Sequence, residues 1–162
     1  MRPVSPRVVE LLNDALTFEL TATNTYFLHA RMLDNWGFAR LGKVLYDLSL
    51  DEMRDADELI KRILLFEGHP NVQRLNPITT GEDPKEVLQL GLDSEKAAVV
   101  MFNGAAQECH DFGDHASAAF FEDSARDEEK HVDWFESQLD ALGRVGDASY
   151  LSQHIDAGEG PE

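Results

Sequence analysis

Glu128 and His131 are a pair of side chains whose types and spacing could bind a metal ion. They stand three residues apart in the run Glu-Glu-Lys-His, which places both on one side of an α-helix. A carboxylate and an imidazole placed in this way can hold one transition-metal ion. Taken alone, the spacing favours a solvated charged face, because an acidic helix produces it by chance.

Three further glutamates interrupt apolar stretches at positions where a core-facing residue is expected. They are Glu19, Glu52 and Glu95, each on a separate periodic segment. A buried carboxylate without a partner is costly, so several of them on different helices imply shared cations. One Glu from each of two helices, with Glu-x-x-His-like pairs from two others, is the arrangement of di-iron carboxylate proteins. The pattern therefore predicts a paired-metal site inside a helix bundle.

The elements that must position these side chains are predicted to be helices. Apolar residues recur at three- and four-residue steps, and Pro or Gly stands near the ends of the periodic segments. A connection of about 17 residues between the second and third helices can run the length of a bundle. The sequence predicts an all-α, ferritin-like four-helix bundle with one long crossover and a short fifth C-terminal helix. We expect one domain over residues 1–162, with helices at about 6–36, 39–67, 84–112, 114–143 and 148–155.

The amino-acid composition makes several classes of function improbable for this protein. The 162 residues contain 14 Lys plus Arg and 31 Asp plus Glu, giving a formal net charge of −17. Such an acidic surface repels nucleic-acid phosphates and attracts cations. No apolar run reaches the roughly 18 residues of a membrane span, and the single cysteine excludes a Cys-x-x-Cys metal site. We expect a cytoplasmic protein that binds neither nucleic acid nor membrane.

Several stretches closely resemble bacterioferritin, the haem-containing iron-storage ferritin of bacteria, and the match covers nearly the whole chain. These stretches are residues 24–32, 35–37, 51–54 and 127–134, with 67–71 and 81–83 in the middle connection. The resemblance implies a shell of 24 subunits that oxidises Fe(II) at a di-iron ferroxidase centre and stores ferric mineral. It also implies haem b between two subunits, bound through a Met from each.

The resemblance also implies which residues bind iron and haem. Carried over by position, Glu52 and Glu128 would bridge the two irons, and Met53 would be the axial haem ligand. The terminal iron ligands would be Glu19, Glu95 and His131. In the family a histidine follows the second-helix Glu by three residues, and Asp55 stands there in this chain.

Asp55 leaves two outcomes open. The family histidine binds through Nδ1, which is as many bonds from Cα as an aspartate oxygen, so Asp55 can reach the same iron. Five carboxylates beside two Fe(II) ions leave an excess negative charge, which favours Fe(III) and alters the kinetics. If Asp55 does not coordinate, the centre is damaged. The chain would then be a haem-bearing subunit of a mixed-subunit shell.

The remaining signals are weaker. Tyr26, two turns after Glu19, would lie near the centre or be an ordinary buried tyrosine. Iron release in the family draws electrons through haem, often from a small iron–sulfur partner. A rubrerythrin-like electron-transfer or peroxide-reducing enzyme and a purely structural acidic bundle are two further hypotheses. No ligand pairing is found in the sequence for the remaining histidines, His29, His69, His110, His115 and His154.

Overall fold

The computed structural model describes residues 1–155, and the regular elements in that part of the chain are all helices. α1 packs along α2 and α3 along α4, as the short links between them require. The predicted all-α class is therefore confirmed. None of the described helices is both long and apolar enough to span a membrane. The bounds are α1 Pro6–Asn35, α2 Ala39–Leu65, α3 Pro84–Asp111, α4 His115–Val145 and α5 Asp147–Ser152.

The helix bounds differ from the predicted ones by two or three residues at the ends of α2, α4 and α5, and α2 ends at Leu65 rather than at residue 67. α4 continues to Val145, two residues beyond its predicted end, and α5 ends at Ser152, three residues before the predicted one. Gly146, with φ of 82°, is the only residue that separates α4 from α5. A glycine adopts this left-handed conformation without strain, so the break needs one residue only. Residues 156–162 of the predicted domain lie outside the described part.

Polar caps and glycines fix where the long helices begin and end. Ser5, Asp83 and Asp114 each accept a hydrogen bond from a backbone N–H in the first turn of the following helix. Gly37 and Gly113 follow the ends of α1 and α3 with φ of 91° and 75°. These left-handed residues turn the chain sharply, so α2 and α4 return antiparallel to the helices before them.

The crossover between α2 and α3 lies along α1. Side chains of α1 accept hydrogen bonds from it over a rise of about 24 Å, so the segment returns the chain along the bundle as expected. The acceptors are Asn13, Thr17, Thr21 and His29. The donors, in the same order, are Asn71 N–H, Arg74 Nε–H, Asn76 N–H and Gly81 N–H, at 2.7, 2.7, 2.9 and 3.1 Å.

The apolar core consists of two clusters, one toward each end of the bundle. The first cluster draws on residues 8–16 of α1, 56–66 at the end of α2, 98–109 of α3 and 118–125 of α4. The second draws on residues 22–33, 41–48, 87–92 and 135–150. Each long helix therefore has a break in its buried apolar residues, and the four breaks lie at one level between the clusters.

Gly91 of α3 lies directly against the ring of Phe135 on α4 and gives a test of this packing. A Cβ atom at Gly91 would lie 2.4 Å from two ring carbons of the buried Phe135. We expect Gly91→Ala to destabilise the protein by about 1–3 kcal/mol, the usual cost of overpacking. The matched control is Gly104→Ala in the same helix, where a Cβ meets nothing within 4 Å. It should be neutral or stabilising by up to about 1 kcal/mol. Thermal unfolding followed by circular dichroism distinguishes them, and equal shifts in Tm would contradict the packing described.

Candidate metal centre

Each long helix contributes one glutamate to the level between the two apolar clusters. Glu19 comes from α1, Glu52 from α2, Glu95 from α3 and Glu128 from α4. All four residues are at most 2% exposed. We call these four residues the carboxylate layer. Apolar neighbours one turn away on both sides force the four side chains inward, which is why the sequence pattern could locate them.

His131 lies against three members of the carboxylate layer. Its Nδ1 atom is 3.2 Å from Glu52 Oε1, 3.2 Å from Glu128 Oε2 and 3.6 Å from Glu95 Oε2. Ligand atoms of these four residues all lie within 4.8 Å of one another. One ring nitrogen carries at most one hydrogen, so it cannot satisfy three carboxylates.

Two oxygens of the layer lack a hydrogen-bond partner among the described residues. They are Glu19 Oε2 and Glu52 Oε1, and both are buried. The contact of Glu52 with His131 is therefore close but not aligned as a hydrogen bond. Unpartnered carboxylate oxygens beside an imidazole nitrogen are a donor set that suits iron and other divalent transition ions. The residues present thus fit a metal site.

Asp55 stands at the edge of the layer, one turn after Glu52, and is half-buried. It lies outside the group of ligand atoms within 4.8 Å, as does Glu19. With His131 it lines a cavity of about 300 Å³ that is open to the surface. The rest of the cavity wall is Asp51, Arg54, Asp127 and Lys130.

Burial and the charges of neighbouring carboxylates raise the pKa of three of these carboxyl groups, which favours their protonated forms when no cation is present. Burial is the main cause that raises the pKa of Glu19 well above its ordinary value, and the charge of Glu52 adds to it. Burial likewise raises the pKa of Glu128 to about 8 and that of Asp55 to about 7. Burial alone would lower the pKa of His131, but the hydrogen bond to Glu128 and the close carboxylates of Glu52 and Glu95 outweigh it and raise the pKa to about 12.

Tyr26 contacts the layer from α1. Its hydroxyl donates a hydrogen bond to Glu95 Oε1, and its ring is fully buried against Phe135. Tyr26 lies beside the candidate centre and is also a buried tyrosine with a satisfied hydroxyl, so both sequence interpretations describe it. His29, to which the sequence assigned no role, supports the crossover through Gly81 instead. The four-residue spacing of polar side chains on α1 was the available signal for that contact.

Met53 points away from the layer although it follows Glu52 directly. It is 50% exposed, whereas Glu52 is 1% exposed, because adjacent helix positions differ by about 100°. Phe27 on α1 is 51% exposed, and its ring centroid lies 6.2 Å from that of Tyr46 on α2. The α1–α2 surface thus presents a thioether and apolar groups to the outside of the bundle.

Comparison with known proteins places the chain in one family. A family model described as Ferritin-like domain matches residues 9–145, so the protein is of the ferritin-like class. A bacterioferritin of Brucella melitensis biotype 1 is 43% identical over 145 residues, 90% of each chain. One of Rhodobacter capsulatus is 42% identical over 94% of this chain and 97% of its own. A solved mycobacterial bacterioferritin structure covers 100% of both chains with a TM-score of 0.95 and 38% identity. The chain belongs to the bacterioferritin family, and the predicted ferritin-like bundle is confirmed.

The raised carboxyl pKa values predict an unusual dependence of stability on pH. The folded, metal-free protein binds more protons at Glu128 and Asp55 than the unfolded chain does, between pH about 4 and 8. His131 acts in the same direction. Above pH about 6.5 the unfolded chain loses the His131 proton while the folded protein still binds it, so folded stability declines as pH rises. We therefore expect Tm of the metal-free protein to fall as pH rises from 5 to 8.

Glu128→Gln and added Zn²⁺ serve as controls for this pH dependence. The amide cannot titrate, so the variant should show a smaller decline in Tm over the same interval. Zn²⁺ displaces protons from the ligands, so its stabilising effect should grow toward pH 8. A metal-free Tm that rises between pH 5 and 8 would contradict the raised pKa values of Glu128 and Asp55.

Proposed function

We propose that the chain stores iron and oxidises Fe(II) at the carboxylate layer and His131 before ferric mineral is deposited in a shell. Membership of the bacterioferritin family supports iron storage. The observation that supports the oxidation step is the pair of buried, unpartnered oxygens of the layer, Glu19 Oε2 and Glu52 Oε1, the second of which lies 3.2 Å from His131 Nδ1. Two divalent ions would satisfy all of these atoms.

In the proposed site each ligand has a distinct role. The family resemblance assigns the bridging of the two Fe(II) ions to Glu52 and Glu128, both of which lie 3.2 Å from His131 Nδ1. The terminal ligands would be Glu19, Asp55, Glu95 and His131. Five carboxylates carry a formal charge of −5 against +4 for two Fe(II) ions, so oxidation to Fe(III) is electrostatically favoured.

The reaction balances with dioxygen as the oxidant. Each of two Fe(II) ions gives one electron, and dioxygen takes both electrons with two protons to form hydrogen peroxide. Peroxide can take two more electrons and two protons to form water. Protons released from Glu19 and Glu128 when iron binds are a local supply, because burial keeps these groups protonated in the metal-free site. Fe(III) would leave past Asp55, through the open cavity lined by Asp51 and Asp127.

Haem b is the second group that the family implies, and the α1–α2 surface fits half of its site. Met53 offers an exposed thioether with apolar groups nearby, and a second copy of the chain would supply the other half. When bound, haem would carry electrons for the release of stored iron. We propose a cytoplasmic homo-oligomer of 24 subunits, with a small iron–sulfur protein as the reductant.

A second candidate function is that of a haem-bearing subunit with a weak ferroxidase centre in a mixed-subunit shell. The observation that favours it is Asp55, which stands where the family resemblance implies histidine and lies outside the tight ligand group. Purifying the chain alone distinguishes the two functions, since only the first needs no second subunit to oxidise iron.

Stopped-flow oxidation of Fe(II) in air tests the role of Asp55. The purified homo-oligomer should show a fast phase that saturates near two Fe(II) per chain. Asp55→Ala should slow this phase by at least about 10-fold. Losing a residue that only supports a metal ligand already costs about that much. The matched control is Asp57→Ala on the exposed side of α2, paired with Lys61, which should leave the rate unchanged. Slow, unsaturable oxidation by the unmodified protein, restored by Asp55→His, would instead support the haem-subunit function.

Haem binding tests the separation of the two sites on α2. Met53→Leu removes the thioether but keeps an apolar side chain, so haem content should fall at least about 10-fold while the fast phase of iron oxidation remains. Haem per chain is measured by absorbance after reconstitution with haemin. Met101→Leu on α3 is the control and should retain full haem binding. Unchanged haem content in the Met53 variant would show that haem is held elsewhere or not at all.

A further inference from the structure

A second group of metal-binding side chains lies at the turn between α3 and α4. It consists of His110 in the last turn of α3, His115 at the start of α4 and Glu122 two turns further along α4. His115 precedes His131 by about 24 Å of helix, so the group is separate from the carboxylate layer. Gly113, with φ of 75°, makes the tight turn that brings these residues together.

Glu122 orients the His110 ring and determines which nitrogen is free. The distance between His110 Nε2 and Glu122 Oε1 is 2.8 Å. An ionised carboxylate only accepts hydrogen bonds, so Nε2 donates, and in the neutral imidazole Nδ1 then keeps its lone pair. A histidine that donates one N–H to a carboxylate and binds a metal through the other nitrogen is a recurring arrangement in metal sites.

His115 lies within about 1 Å of the ring separation that a shared metal ion requires. The ring centroids of His110 and His115 are 5.7 Å apart, and the ring planes are inclined by 56°. A metal–imidazole bond is about 2.0–2.1 Å long, so one tetrahedral ion would hold two ring centres about 5 Å apart. Both histidines are exposed, so small rotations of the rings can complete the approach.

We propose that His110 and His115 bind one divalent transition-metal ion of the kind that prefers imidazole, and that Glu122 orients His110. The position of His110 in the last turn of α3 favours a cation, because the free carbonyl groups there carry partial negative charge. The net charge of −17 also draws cations to the surface. Solvent would occupy the remaining coordination positions of the ion.

Copper EPR of the assembled protein tests the ligand set. At one Cu²⁺ per chain, the nitrogen splitting should include a component from two equivalent imidazoles, whereas the carboxylate layer offers one imidazole only. His115→Ala should remove the two-nitrogen component. Its persistence in the variant, or its absence from the unmodified protein, would overturn the proposal.

Zn²⁺ titration by calorimetry tests stoichiometry and the role of Glu122. His110→Ala and His115→Ala should each bind one fewer Zn²⁺ per chain, while the ions held at the carboxylate layer remain. Glu122→Gln should weaken this site by about 10-fold or more, since it loses the orienting carboxylate. His69→Ala, at another exposed histidine, is the matched control and should bind the full complement. Unchanged stoichiometry in both histidine variants would show that His110 and Glu122 form a surface ion pair only.

Discussion

The burial of four carboxylates at one level of a helix bundle is the constraint on which the rest of this structure depends. Each charge is too costly to bury alone, and the single His131 nitrogen cannot satisfy three of them. Two apolar clusters, above and below the layer, hold the four helices in register against that repulsion. The helix caps, the tight turns and the crossover along α1 also keep the helices in register, because they fix where each helix begins.

Protons and metal ions are two ways to neutralise the layer. Without metal, burial keeps protons on Glu19, Glu128 and Asp55. Bound cations would replace these protons, so stability, metal affinity and pH are coupled through one set of atoms. Asp55 adds a fifth carboxylate beside the open cavity, where it can influence both the charge of the centre and the passage of iron. Met53, one residue from Glu52, would place the proposed haem site on the outer surface of the same helix.

Much of the fold and the interior of the site could be predicted from the sequence, because burial follows helical periodicity. Glu19 and Glu95 interrupt apolar stretches, which is a local signal. The long-range contacts could not be predicted in this way. His29 bonds to Gly81, and His110 meets His115 and Glu122, only because turns bring separate segments together. Whether Asp55 coordinates iron depends on a side-chain position set by the ion itself, so no sequence pattern decides it.

The proposed centre requires the layer, His131 and Asp55 to hold two iron ions together. Anomalous diffraction at the iron absorption edge, on crystals soaked anaerobically with Fe(II), tests this most directly. We expect two peaks about 3.5–4 Å apart between Glu52 and Glu128, with an Asp55 oxygen bound to one of them. A single peak, or two peaks with Asp55 turned away into the cavity, would contradict this arrangement and identify a centre that the aspartate has disabled.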